Sequence, residues 1–290
     1  MRPSPLFSAE ALRTATGVVL LDARAGADAP RRFEDERLEG AWRVDLDTDL
    51  AAPVIDPAFG GRHPLPSPED FAAKLGAWGI TPASTVVVYD DKGGANAAAR
   101  AWWMLRALGH TGVFVLDGGL EAAHAAGVPL HRGPEHRPMG AGSYPHAGGW
   151  RWPTVDFDEV VRASGDPGRI VLDARDPSRY AGLADPFDPR PGHIPGALSA
   201  PFAEHLDAQG RFVSPAALAA LYGPRLGARD GSRVIATCGS GVTACHVLLA
   251  LETLGVEGAA LYVGSFGEWT RRGAPVEVGA PGSDAKTTVA

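Results

Sequence analysis

Short apolar runs alternate with longer amphipathic stretches along most of the chain. Residues 86–88 and 113–116 are continuous apolar runs of strand length, which is typical of strands covered on both faces. Residues 97–108, between them, have helical spacing and are followed by a glycine. Ser67 and Ser214 each precede a proline, a pattern that predicts serine-capped helix starts. The alternation therefore predicts an α/β fold, with a mainly parallel sheet in each domain and helices on both faces.

A unit of about half the chain occurs twice. Three pairs of segments correspond at offsets of 151, 148 and 146 positions: 17–24 with 170–175, 85–90 with 233–238, and 116–119 with 262–265. Offsets that change so little indicate a diverged internal duplication with small insertions, so the chain is expected to form two similar domains.

Composition changes mark the domain boundaries. Residues 131–153 contain five glycines and four prolines without any period, which is typical of a linker. The last residues, 279–290, are small and polar, and we expect them to be disordered. The sequence thus predicts a first domain over residues 1–130 and a second domain over residues 154–278.

Charge and cysteine content narrow the possible roles. The formal net charge is −7 without a basic block, so we expect no nucleic-acid partner. Apolar runs are too short to cross a membrane, and the N-terminus lacks the apolar core of a signal peptide. The two cysteines, Cys238 and Cys245, are seven positions apart and form neither a disulfide framework nor a zinc site. A working thiol suits the reducing cytoplasm, where we expect the protein to act.

Cys238 is the most informative position in the chain. It follows the apolar run 234–236 and precedes a helical pattern, so it lies where a strand gives way to a helix N-terminus. Unpaired backbone N–H groups and the helix dipole favour the thiolate form at such a place. Gly239 and Gly241 allow the backbone to curl around one anionic sulfur. The pattern alone leaves open a buried, inert cysteine.

The run 238–244, Cys-Gly-Ser-Gly-Val-Thr-Ala, resembles the active-site loop of the rhodanese-type sulfurtransferases, in the form found in their mercaptopyruvate branch. The similarity extends over residues 18–276. It implies two tandem rhodanese-like domains and a catalytic Cys238 that carries a persulfide. The first copy has Asp90 at the equivalent position, which implies a non-catalytic domain that supports the other.

The resemblance also implies roles for other residues. Ser240 and Asp47 fall on a proton relay, and His63 falls on a histidine near the site. Arg179 matches an arginine that binds the substrate carboxylate, and Arg190, at a different spacing, is the candidate for a second. The loop residues implied in substrate binding are Gly239, Gly241, Val242 and Thr243.

The implied reaction moves sulfur from 3-mercaptopyruvate through the Cys238 persulfide to an acceptor and releases pyruvate. The acceptor would be a thiol, such as thioredoxin or a low-molecular-weight thiol, or cyanide. The enzyme's own sulfur is the carrier, so neither a metal nor an organic cofactor is expected.

Three alternatives remain open at this point. A thiosulfate:cyanide sulfurtransferase is disfavoured because Gly239 and Ser240 are uncharged, and a charge-assisted hydrogen bond to the sulfonate contributes about 1.5–3 kcal/mol. A phosphatase is disfavoured because neither Ala244 nor Cys245 supplies the arginine that clamps phosphate. A non-catalytic binding or persulfide-carrier module is the third. We expect Cys245 to be buried rather than to act as a resolving thiol.

Overall fold

The structure is a computed structural model that describes residues 4–135, 142–279 and 287–289. The chain divides into two compact units, and two segments belong to a different unit from their neighbours in sequence. The first unit comprises Met1–Ala52, Pro66–Trp152 and Leu206–Phe212, and the second comprises Pro53–Leu65, Pro153–His205 and Val213–Ala290.

The first unit is built on a five-stranded sheet in the order β1-β6-β5-β2-β4, and every neighbouring pair in it is parallel. A short antiparallel pair, β3 with β7, forms a second sheet. The strands are β1 (Leu6–Phe7), β2 (Val18–Asp22), β3 (Arg37–Leu38), β4 (Trp42–Arg43), β5 (Thr85–Tyr89), β6 (Val113–Leu116) and β7 (Leu130–His131). The helices are α1 (Ala9–Leu12), α2 (Ala29–Asp35), α3 (Pro68–Ala77), α4 (Ala98–Leu108) and α5 (Gly119–Ala125).

Both faces of the central strand β5 are covered. Val87 and Tyr89 face the cluster formed with α1 and α5, while Val86 and Val88, which point the other way, are also fully buried. α4 packs against β5 and β6, and its Trp102 and Trp103 are fully buried. Burial on both faces explains why residues 86–88 are continuously apolar.

The second unit has the same sheet. Its strand order is β10-β9-β11-β12-β8, again with parallel neighbours, which matches the first unit strand for strand. Its strands are β8 (Thr154–Val155), β9 (Ile170–Asp173), β10 (Leu198–Ser199), β11 (Val234–Thr237), β12 (Ala260–Tyr262), β13 (Val276–Val278) and β14 (Thr287–Val289). Its helices are α6 (Phe157–Ser164), α7 (Pro177–Tyr180), α8 (Pro215–Leu226), α9 (Ala244–Thr253) and α10 (Ser265–Arg271), with 3₁₀ turns at Phe202–His205 and Gly231–Arg233.

The predicted duplication and the α/β fold with parallel sheets are confirmed. An equivalent arginine–aspartate ion pair occurs in each unit. Arg24 Nε donates to both carboxylate oxygens of Asp22 at 3.0 Å, and Arg175 does the same to Asp173 at 3.0 Å. Both pairs are buried at the carboxyl end of the second strand of their sheet, so they fix the same loop in both units.

Local sequence signals define the helix ends. Ser67 and Ser214 accept hydrogen bonds from the backbone N–H groups of Asp70 and Ala217, as the serine–proline pattern predicts. α4 ends at Gly109, whose φ of +103° is the left-handed conformation typical of a helix C-terminus.

Disorder is the expectation for residues 279–290, and the structure describes Thr287–Val289 within them. These residues form β14, which pairs antiparallel with β13. The extended pairing provides backbone hydrogen bonds that a polar composition does not reveal. Residues 280–286 and 290 lie outside the described part of the chain.

Candidate functional site

Cys238 lies immediately after β11 and six residues before α9, at the carboxyl edge of the sheet of the second unit. Its side chain is buried, with 2% of the residue surface exposed. The N–H of Gly241 donates to Sγ at 3.1 Å and the N–H of Ser240 at 3.5 Å. Two backbone donors on one sulfur atom stabilise an anionic sulfur, so the loop has the geometry expected of a reactive thiol.

Gly241 is required by the shape of this loop. Its φ is +76°, and a Cβ added there would lie 2.3 Å from the carbonyl oxygen of Val263. Any other side chain would therefore both strain the backbone and displace β12's exit segment. The glycine lets the N–H of residue 241 turn towards Sγ.

The start of α10 holds the backbone of the cysteine loop. Ser265 Oγ accepts a hydrogen bond from the N–H of Cys238 at 3.2 Å and donates to the carbonyl of Tyr262 at 2.8 Å. The N–H groups of Phe266 and Gly267 donate to the carbonyls of Cys238 and Gly239, at 2.9 and 3.1 Å. The loop thus occupies the N–H groups at a helix N-terminus that would otherwise lack partners.

Ser265 is a functional candidate that the sequence did not reveal. Its φ of +54° is uncommon for a residue other than glycine, and its Oγ lies 4.0 Å from Cys238 Sγ. The hydroxyl has one proton, and the Tyr262 carbonyl at 2.8 Å is a much nearer acceptor for it than Cys238 Sγ at 4.0 Å. The stronger effect of Ser265 on Cys238 is therefore to hold its backbone N–H.

Three arginines surround one buried carboxylate, that of Asp188. Arg179 Nη2 lies 3.1 Å from Asp188 Oδ2 and Arg271 Nη1 lies 3.2 Å from Asp188 Oδ1. Arg62 Nη1 also bonds to Asp188 Oδ1. Asp185 adds a second carboxylate, 3.1 Å from Arg179 Nη2. We call this group the Asp188 cluster.

The Asp188 cluster borders the cysteine loop at Gly239. A Cβ added to Gly239 would lie 2.9 Å from Arg179 Nη2 and 3.0 Å from Arg62 Nη2. Two guanidinium groups thus reach the residue next to Cys238. The side chains of Gly239 and Ser240 are uncharged, but Arg179 and Arg62 bring two cations to this loop from other segments.

Arg179 is the predicted carboxylate-binding residue that lies at this place. Arg190, the predicted second one, donates from Nη1 to the carbonyls of Ala274 and Gly273 at 3.1 and 3.4 Å. Its role in binding stays a prediction.

The remaining predicted residues fall into both units. His63 is half-buried beside Arg62 in the second unit. Val242 and Thr243 lie between the cysteine and α9, where their carbonyls accept the N–H groups of Cys245 and His246. Asp47 belongs to the first unit and Ser240 to the second, and their relay stays a prediction.

The expected burial of Cys245 is confirmed, since the residue is fully buried and its Sγ donates to the carbonyl of Gly241 at 3.5 Å. Within residues 4–135, 142–279 and 287–289, no group of three or more His, Cys, Asp or Glu side chains could hold a metal ion. No helix in the same ranges is long and apolar enough to cross a membrane.

The rhodanese-like domain model matches residues 8–126 and again residues 156–272. The chain therefore belongs to the rhodanese family, and it contains two copies of the domain. The strand order and the cysteine loop of the second copy agree with this membership.

Two similar relatives and one similar solved structure carry the same enzyme name, whereas a Mycobacterium tuberculosis relative, 37% identical over 87% of this chain and 88% of that protein, is named "Putative thiosulfate sulfurtransferase SseB". A Pseudomonas aeruginosa protein named "Probable 3-mercaptopyruvate sulfurtransferase" is 43% identical over 258 residues, which cover 87% of this chain and 89% of that protein. The 3-mercaptopyruvate sulfurtransferase of Escherichia coli is 38% identical, over 90% of this chain and 92% of that protein. The structure of the Leishmania major 3-mercaptopyruvate sulfurtransferase superposes with a TM-score of 0.82 at 30% identity, covering 93% of this chain and 75% of that one.

Proposed function

We propose that this chain transfers sulfur from 3-mercaptopyruvate to an acceptor thiol through a persulfide on Cys238. The observation that carries the proposal is the buried Sγ that accepts N–H groups from Gly241 and Ser240. Relatives that share most of the chain are named for this activity. In the proposed division of labour, the second domain carries the chemistry and the first, with Asp90 at the matching position, supports it.

In the first half-reaction the Cys238 thiolate attacks the sulfur of 3-mercaptopyruvate. An S–S bond forms, the donor's S–C bond breaks, and its electron pair goes to carbon, which leaves as the enolate of pyruvate. The proton that was on the donor thiol ends on the methyl carbon of pyruvate, and the persulfide remains as an anion. The Gly241 and Ser240 N–H groups stabilise the sulfur that carries charge before and after the transfer.

The proton requires a path, and the proposal assigns it to Ser240 and Asp47. A serine alone is a weak base, and a carboxylate that accepts its proton increases its basicity. His63 is proposed to contact the substrate from the segment that also carries Arg62. Val242 and Thr243 complete the proposed substrate-binding loop together with Gly239.

In the second half-reaction an acceptor attacks the outer sulfur of the persulfide. A thiolate acceptor takes that sulfur and becomes a persulfide itself, while Cys238 leaves as a thiolate. Cyanide would take the same sulfur and become thiocyanate. Thioredoxin and low-molecular-weight thiols are the proposed thiol acceptors. The Cys238 thiol has to stay reduced in order to act, so we place the reaction in a reducing cytoplasm.

Thiosulfate is the second candidate donor, and the arginines beside Gly239 favour it. Arg179 and Arg62 would provide charge-assisted partners for the sulfonate, which Gly239 and Ser240 do not. The persulfide intermediate is the same for both donors. A persulfide carrier without turnover would need only Cys238 and its loop.

The test compares kcat/KM for 3-mercaptopyruvate and for thiosulfate, with cyanide as acceptor, in the wild type and in Cys238→Ser. A preference for 3-mercaptopyruvate of at least about 10-fold, equivalent to about 1.4 kcal/mol, that disappears in the variant supports the proposal. A preference for thiosulfate would replace the donor and keep the nucleophile. Absence of turnover with both donors would favour the carrier.

A further inference from the structure

Arg62 places a guanidinium group beside the residue that follows the nucleophile. It comes from the segment 53–65, which lies within the first half of the sequence but belongs to the second unit. The N–H of Gly60 donates to the Glu268 carboxylate at 3.3 Å, which ties this segment to α10. The chain thus brings a cation to the cysteine loop from about 175 residues away in sequence.

Asp188 fixes the direction of the Arg62 side chain. The Nη1 atom bonds to Asp188, and a Cβ added to Gly267 would lie 2.9 Å from it. Nη2, the other terminal nitrogen, points to Gly239. One end of the guanidinium is therefore anchored, while the other faces the loop that carries the thiol.

Charge favours an anionic ligand at this place. The Arg62 and Arg179 side chains remain 25% and 20% exposed, so they can exchange water for a ligand. The Asp188 cluster and the adjacent buried ion pair of Arg175 with Asp173 together carry a formal charge of +1. Four arginines (Arg62, Arg175, Arg179 and Arg271) face three aspartates (Asp173, Asp185 and Asp188).

We propose that Arg62 is a substrate-binding residue and that it forms, together with Arg179, the paired-guanidinium seat for the donor's carboxylate. The inference rests on the proposed function, because it deepens the binding of 3-mercaptopyruvate. Two carbon atoms separate the carboxylate of this donor from its sulfur. A carboxylate held beside Gly239 therefore leaves the sulfur within reach of Cys238, and guanidinium groups match carboxylate oxygens in planar, two-point contacts.

Arg62 thus takes the role of second carboxylate-binding arginine, for which the family resemblance made Arg190 the candidate. Arg190 Nη1 donates to the backbone carbonyls of residues 273 and 274, just after α10. Arg62 instead bonds to Asp188, as Arg179 does, and the Nη2 atoms of both arginines lie beside Gly239. Sequence alone could not pair them, because their segments are far apart in the chain.

The experiment compares Arg62→Gln, Arg62→Lys, Arg271→Gln and Arg162→Gln with the wild-type enzyme. For Arg62→Gln we expect KM for 3-mercaptopyruvate to rise at least 10-fold, which corresponds to about 1.4 kcal/mol, with kcat changed less than 3-fold. Arg62→Lys should recover part of the loss because it keeps the charge and loses the fork. Arg162 lies exposed on α6, so its variant should match the wild type.

Arg271→Gln separates binding from positioning. Arg271 shares Asp188 with Arg62, so both variants remove one partner of the same carboxylate. If Arg62 acted only by orienting Asp188, the two variants would raise KM equally, and the proposal would be overturned. A much smaller rise for Arg271→Gln supports direct contact, and so does an unfolding temperature that Arg62→Gln leaves unchanged.

Direct binding of pyruvate keeps the inference distinct from the proposed reaction. The Kd of pyruvate for the persulfide-free enzyme, measured by calorimetry, should rise at least 10-fold in Arg62→Gln. A wild type that binds pyruvate but turns over neither donor would refute the proposed function and still test Arg62. An unchanged Kd and KM in Arg62→Gln, with both raised in Arg190→Gln, would refute the inference.

Discussion

Asp90 occupies in the first unit the position that Cys238 occupies in the second. Each follows the central strand of its sheet, β5 or β11, and each side chain is buried and accepts backbone N–H groups from the loop after it. A carboxylate there provides acceptor oxygens to a loop whose backbone N–H groups point inwards. The first unit thus retains the anion-binding loop geometry without a nucleophile.

Removal of the Asp90 carboxylate should destabilise the first unit. Its oxygens accept the N–H groups of five residues at 2.8–3.2 Å: Lys92, Gly94, Asn96, Ala97 and Ala98. Burial raises the pKa of Asp90 from its ordinary value, against these donors. Asp90→Ala would leave the donors without an acceptor, so we expect a loss of at least about 3 kcal/mol in urea-unfolding free energy.

Asp90→Asn should have an intermediate effect because it keeps one acceptor oxygen. Asp35→Ala is the matched control, since this carboxylate is 63% exposed and pairs with the exposed Arg31 at 3.7 Å. Its effect should stay within about 0.5 kcal/mol. Equal unfolding midpoints for Asp90→Ala and Asp35→Ala would contradict the account.

Ser265 should control the reactivity of Cys238 through the backbone. Ser265→Ala removes the acceptor for the Cys238 N–H and keeps the strained φ, whereas Ser265→Gly removes the same acceptor and relieves the strain. A lost hydrogen bond of about 1.4 kcal/mol corresponds to about 10-fold, and we expect both variants to lose about that factor in kcat. The rate of Cys238 alkylation by iodoacetamide at fixed pH gives a second readout.

The two variants also separate the hydroxyl from the backbone. A loss in Ser265→Ala that Ser265→Gly fully restores would show that φ, and not the hydroxyl, matters. Wild-type alkylation rates in both variants would remove Ser265 from the site.

Most of the fold was predictable because its signals are local and occur twice. Continuous apolar runs mark strands β5 and β6 because both faces are buried, and serine caps and glycine ends mark the helices within a residue. The terminal strand β14 was not predicted because the tail was interpreted from its overall small and polar composition, although Thr287–Val289 are themselves β-branched residues that favour strands.

The site was predictable only where it is contiguous. The cysteine and its donors lie within residues 238–241, so one motif reveals them. Arg62, Asp188 and Ser265 come from three separate segments, and each is an ordinary residue of a loop or helix start in sequence. The proximity of Arg62 to His63, which was a candidate, is the one signal that pointed to its segment.

Gly239→Ala should weaken donor binding without unfolding the protein. The added Cβ would meet Arg179 Nη2 and Arg62 Nη2 at 2.9 and 3.0 Å, and these atoms lie at the ends of flexible side chains that can move away. Displaced guanidinium groups would no longer seat the donor, so kcat/KM for 3-mercaptopyruvate should fall at least about 10-fold.

Alanine substitutions at two other glycines serve as controls for Gly239→Ala. Gly165→Ala, where nothing lies within 4 Å of the new Cβ, should change neither stability nor kcat/KM appreciably. Gly241→Ala, which strains φ and meets the Val263 carbonyl, should reduce the unfolding temperature as well as activity. Wild-type kcat/KM in Gly239→Ala would contradict the placement of the arginines.

Stability should fall as the pH drops through the range in which histidine normally ionises. His205 is buried, with Nδ1 2.9 Å from His246 Nδ1 and Nε2 2.7 Å from the Tyr222 hydroxyl. Burial lowers the pKa of His205 well below its ordinary value, and the nearby His246 and Arg225 add to the effect.

The direction of this change in stability follows from the protons that the unfolded and folded states bind. Below about pH 6.5 the unfolded chain binds a proton at His205 that the folded protein does not, so acid favours unfolding by up to about 1.4 kcal/mol per pH unit for this group. Above that pH both states are neutral at His205 and the contribution is constant.

We therefore expect the urea midpoint of the wild type to decline between pH 7 and pH 5. His205→Asn, which cannot ionise, should start from a lower midpoint at pH 7 and decline less steeply. Parallel curves for the two proteins would show that the buried His205 does not drive the acid sensitivity.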